Sequence, residues 1–118
     1  MAQRRSRYGP KEENAEMLKR FRLWLTAQNY VPSTVEKYCG ICKRFCSFLG
    51  SKALRTVTPL DVCDFVTSNI AHGSSDGVVQ GRLVALRAFF DFLYMGGVVD
   101  AVPPRFIRPR RVLSLIHI

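Results

Sequence analysis

The chain has 118 residues, 47% of them hydrophobic, and a formal net charge of +9. That length suits one domain with a single core, and that apolar content argues against intrinsic disorder. The apolar stretches are interrupted by Arg87 and Asp91 well before the ~20 residues a membrane span needs, and the basic N-terminus has no signal-peptide core. The expectation is a cytoplasmic protein with reduced thiols and no membrane partner.

Four helices follow from start and stop signals. The first is predicted over about Lys11 to Gln28, with Met17, Leu18, Phe21, Trp24 and Leu25 inward and Asn29 as a left-handed stop. The second is predicted from Ser33, through a Ser33-x-x-Glu36 capping box after Pro32, to Leu49 and Gly50. Its inner stripe is Val35, Tyr38, Cys42, Phe45 and Leu49, and Lys37, Lys43, Arg44 and Ser47 face out. The third opens at Thr58-Pro59, holds Leu60, Val62, Phe65, Val66 and Ile70, and stops near His72-Gly73. The fourth runs from Ser75 to Met95 and closes at Gly96-Gly97. Val79, Leu83, Leu86, Phe90 and Leu93 form its apolar stripe, widened by Ala85, Phe89 and Phe92. Its other face carries Gln80 and Arg87 and is thin at Gly77 and Gly81. No segment alternates at period two, so the predicted fold class is all-α, a four-helix domain over residues 11–103.

Charge is concentrated at the two ends. Arg4, Arg5, Arg7 and Lys11 form a basic arm, and Arg105, Arg108, Arg110 and Arg111 follow Pro103, with no acid in either segment. Within the helical part, Lys37, Lys43, Arg44, Lys52 and Arg55 run without an acid until Asp61. Basic arms around a folded core are the pattern of a polyanion-binding protein. Residues 104–112, proline and arginine without periodicity, read as an extended linker. The last six residues, 113–118, match the translation of a common sequencing-adapter end and are expected to be non-native, the natural frame continuing past Val112.

Cys39-x-x-Cys42 has metal-ligand spacing. No second such pair and no His pair completes a site, and positions 39, 42 and 46 fall at helical spacing beside Val35, Tyr38, Phe45 and Leu49. The cysteines therefore read as small buried hydrophobes, with no metal and no cofactor.

Several segments, in order, resemble the N-terminal core-binding domain of tyrosine recombinases, the phage-integrase family. They are Phe21-x-x-Trp24-Leu25, Tyr30-Val31-Pro32-Ser33-Thr34-Val35-x-x-Tyr38, Phe45-x-x-Phe48-Leu49 and Thr58-Pro59-Leu60-Asp61-Val62-x-x-Phe65. Then come Arg82-Leu83-x-Ala85-Leu86-Arg87-x-Phe89-Phe90-x-Phe92-Leu93 and Gly97-Val98 with Pro103 beyond. The likeness covers roughly Met17 to Pro109 and departs from the family at Val102-Pro103, where Asn-Pro is usual.

The resemblance implies a SAM-like orthogonal four-helix bundle that forms one jaw of a clamp on double-stranded DNA. A C-terminal catalytic domain would supply the other jaw and a tyrosine nucleophile, and other recombinase protomers would be partners in DNA integration and recombination. None of the catalytic motifs is present: Tyr8 belongs to the arm, Tyr30 and Tyr38 to the core-binding pattern and Tyr94 to the end of the last helix, so this chain is expected to bind DNA and not to cut it. By resemblance, the second and fourth helices meet the major groove. The candidate DNA-binding residues are Thr34, Lys37, Lys43, Arg44, Gln80 and Arg87, with Arg105 and Arg108 beyond. Arg82, at the stripe's edge, could pair with Asp64 instead. Two other readings stand beside this one: a free-standing helical DNA-binding regulator, and a basic helical module for an acidic protein partner.

Overall fold

The structure, a computed structural model, describes residues 10–69 and 75–107. The arm before Pro10, the His72-Gly73 stop and Arg108 lie outside those residues. Four α-helices appear among the described residues: α1 (Pro10–Ala27), α2 (Pro32–Leu49), α3 (Pro59–Val66) and α4 (Ser75–Met95). Short 3-10 turns at Leu54–Thr56 and Pro103–Phe106 complete the secondary structure, and no strand occurs among the described residues. The all-α expectation holds.

The helix ends show why the chain breaks where it does. Asn29 takes a left-handed φ of 66° after α1, and Gly50 does so at 64° after α2. The Gly50 amide donates to the carbonyls of Cys46 and Ser47, which satisfies acceptors that a helix end otherwise leaves open. At α3, Thr58 and Asp61 form a reciprocal capping box with Pro59 in the first turn. Two start and stop expectations fail. The Ser33–Glu36 box does not form: Pro32 takes the first helical position with Val31 as the cap residue, and the Glu36 carboxylate accepts from Arg22 of α1 instead. The third helix ends at Val66 rather than near His72, in a turn through Thr67–Asn69.

The core is built around α4. Val79, Leu83, Ala85, Leu86, Phe89, Phe90 and Leu93 are all fully buried. Phe21 of α1 packs its ring 5.0 Å from Phe89, while Phe45 of α2 lies edge-on to Phe90 at 6.0 Å and to Phe65 of α3 at 5.1 Å. Such tilted and edge-to-face pairs add to the stabilisation from buried area alone. Trp24 stands beside Phe92, with centroids 5.6 Å apart. Leu60, one of the apolar residues of the third helix, is 75% exposed. It sits two residues, and so about 200° around the helix, from Val62, whose side faces inward with Phe65 and Val66.

Packing continues past Pro103, where sequence places the domain's end. Pro104 is fully buried and Ile107 is 9% exposed within the core cluster.

Candidate nucleic-acid interface

Two flanks of α2 leave the core in different directions. Glu36, paired with Arg22, marks the flank toward α1, and Lys43, seven residues on, shares that flank. Lys37, Gly40 and Arg44 lie on the other, facing α4. The end of the Lys37 side chain, Cε and Nζ, lies 3.9 Å from where a Cβ would stand on Gly81 of α4. The Arg44 guanidinium bends back over Gly40, with Nη1 3.9 Å from the equivalent point there. Two glycines thus open space for two cations, one on each side of the α2–α4 seam. Sequence marks Gly81 as a place of close approach; Gly40 escapes notice because nothing in the pattern of α2 requires it.

Arg82 of α4 also belongs to this seam. One of its nitrogens, Nη1, donates to the carbonyls of Phe65, Val66 and Ser68 at 3.1, 3.1 and 2.7 Å, and the guanidinium sits 5.4 Å from the centre of the Phe65 ring. It closes the C-terminus of α3, where a cation also meets the negative end of the helix dipole, and it does not pair with Asp64. Burial holds its pKa below the usual arginine range, and the like charge of Arg44 adds to that shift. Arg44 and Arg82 are therefore near neighbours of the same sign. Among the described residues, no acid forms an ion pair with Lys37, Lys43 or Arg44, whereas Lys52 is bound to Asp61 at 2.7 Å.

The remaining candidates divide. Thr34 is half-buried in the first turn of α2, and its amide already donates to Val31 at 3.0 Å. Pro32 has no N–H, which leaves the Ser33 amide for any anion at this helix start. Gln80 is exposed beside Gly81. Arg87 is half-buried and gives its Nη2 to the Ile107 carbonyl at 2.9 Å. Arg105 grips Asp91, with Nη2 2.8 Å from both carboxylate oxygens. Lys37, Lys43, Arg44 and Gln80 are thus presented outward, while Arg87 and Arg105 are engaged with the protein itself.

The four cysteines form no disulfide, with Cys39 and Cys42 buried and Cys46 and Cys63 half-buried. Burial pushes the Cys46 thiol up to about 12 and raises the other three. Among the described residues no group of three His, Cys, Asp or Glu side chains converges on a point. A half-open pocket of about 40 Å³ between α1 and the turn at Leu54 is lined by Asn14, whose Nδ2 is buried without a partner, and has room for a few waters. No described helix is long and apolar enough to cross a membrane.

Fold and face together define a small all-α domain with a cationic seam that no acid among the described residues neutralises. The family model described as phage integrase, N-terminal SAM-like domain, matches residues 18–97. The chain belongs to that family, and membership brings a DNA-binding role related to tyrosine recombination. No curated protein and no solved structure matches the chain. The match is to an N-terminal domain and includes no catalytic domain.

Proposed function

We propose that the α2–α4 seam is the DNA-docking face of a core-binding domain, one jaw of a clamp whose other jaw belongs to a recombinase catalytic domain. Duplex DNA is the partner, and Lys37 and Arg44 are its principal phosphate contacts, with Gln80 at the edge, Thr34 at the start of α2 and Lys43 reaching phosphate from the flank toward α1. The observation that carries this reading is the Lys37 side chain lying over Gly81: a cation with no acid partner among the described residues, held where two helices meet and where α4 has no side chain to keep a backbone away. Phosphate contacts orient a protein on DNA without reading sequence, so this domain alone should bind many duplexes similarly. Among the described residues no tyrosine stands among arginine and histidine side chains, and the proposed role of this chain is binding without strand cleavage. Cytoplasmic residence and assembly with further recombinase protomers follow from the same reading.

The test is a salt titration of binding to a 20-base-pair duplex. Each neutralised phosphate contributes about −0.9 to the log–log slope, so Lys37→Ala with Arg44→Ala should flatten it by about two. The double variant should keep its melting temperature, because both side chains lie on an outer flank. An unchanged slope would remove this face from the interface. Binding to an acidic protein but not to DNA would favour the protein-interaction reading.

A further inference from the structure

We infer that residues 103–107 are a docked strap, and that one turn of α4 clasps it, fixing where the chain leaves the domain. This inference does not rest on DNA binding. Arg87 and Asp91 are four residues apart and so share a face of α4. Each holds a different part of the strap. Asp91 takes the Arg105 guanidinium through both carboxylate oxygens, and Arg87 takes the Ile107 main-chain carbonyl at 2.9 Å. Paired bonds to a guanidinium fix orientation as well as distance.

Apolar burial acts along with these polar grips. Pro104 is fully buried, Ile107 reaches the core, and the segment packs against both α3 and α4. Its own backbone closes a 3-10 turn, the Arg105 amide donating to Val102 and the Ile107 amide to Pro104, both at 3.1 Å. Two consecutive prolines restrict the free segment, so docking it forfeits less conformational entropy than an ordinary loop would. A segment that composition presents as a loose linker is therefore part of the folded body up to Ile107. Arg87 is a positioning residue: it sets the exit point at the α3–α4 side and is not available to a phosphate while the strap is seated.

Limited trypsin digestion of the full 118-residue chain tests this. Arg105–Phe106 lies inside the strap and Arg110–Arg111 beyond it. Cleavage of a native protein follows the population of the locally opened state, so Arg105–Phe106 should be cut at least about tenfold more slowly than Arg110–Arg111. The pair Arg87→Ala and Asp91→Ala should bring the two rates to within about twofold, with the far-ultraviolet helix signal retained. Should that pair fail to fold, Asp91→Asn alone, which weakens the exposed grip only, should still raise the Arg105–Phe106 rate. Hydrogen exchange at the Ile107 amide should accelerate in parallel. Equal cutting of the two bonds in the unaltered chain, or protection that survives the folded variants, would overturn the proposal. As a separate readout, Arg87→Gln should leave the DNA salt slope unchanged; a slope flattened by about one would make Arg87 a phosphate contact and would also overturn it.

Discussion

The Lys37 ammonium rests 3.9 Å from the empty position on Gly81, so a residue of α2 occupies the room that α4 leaves by having no side chain there. The spacing is that of ordinary van der Waals contact. A methyl group would fit, and a longer side chain would displace the lysine.

Gly81→Ala should therefore stabilise the domain. It removes the helix penalty of glycine, up to about 1 kcal/mol in a helix interior, without a clash. Thermal melting should show a higher midpoint. Gly81→Leu should retain the fold but weaken duplex binding, because the leucine takes the volume in which Lys37 lies; equilibrium titration at fixed salt distinguishes the two variants.

Phe90→Ala should cost about 3–5 kcal/mol. The ring is fully buried at the centre of the molecule, edge-on to Phe45 and beside Phe89, and its removal leaves a cavity that three helices would have to move to fill. Urea denaturation measures the loss as a lower midpoint at an unchanged slope.

Acid should weaken the start of α3. Burial alone would raise the Asp61 pKa, but the bonds from Lys52 and from the Thr58 amide and hydroxyl outweigh it and hold the carboxyl below its ordinary range. A depressed carboxylate contributes stability that is present above its unfolded pKa of about 3.9 and is lost as pH falls through the folded value. Stability should thus decline below about pH 4, and Asp61→Asn should flatten that part of the profile. Thr58→Ala should cost about 1 kcal/mol at neutral pH by removing the cap.

The thiols should be slow to react. With Cys46 raised to about 12 and Cys42 buried against the Ala85 carbonyl at 3.6 Å, little thiolate forms at neutral pH. Labelling by a disulfide reagent at pH 8 should be incomplete in the native protein and reach four equivalents only in denaturant. Chelator should leave the helical circular dichroism unchanged.

The parts legible in the sequence are those governed by short-range rules. The stripe on α4 is fixed by 3.6-residue periodicity, and the breaks at Asn29, Gly50 and Thr58-Pro59 by backbone conformation and capping. What escapes these rules depends on partners far away in the chain. Glu36 has the spacing of a capping residue, yet Arg22, fourteen residues earlier, supplies a stronger partner for its carboxylate. Leu60 has a core residue's chemistry but lies on the outward side of a helix too short to bury two faces. The arginines are the clearest case. Arg44, Arg82, Arg87 and Arg105 share a charge and a side chain, and sequence treats them alike. In the fold one lies over a glycine, one closes a helix end, one holds a carbonyl twenty residues on and one grips an aspartate. Charge counting finds the cations but does not separate those turned to solvent from those satisfied inside.

The aromatic corner where Phe21, Trp24 and Phe92 meet gives the chain a built-in optical probe. Trp24 is its one indole, and it is wedged where the first helix lies on the last. Its emission will track the separation of those two helices and will be nearly blind to fraying of the third. A folding study that relies on fluorescence alone would therefore follow one hinge of the bundle, and any lag between that signal and the ellipticity would time the moment when the first helix lets go.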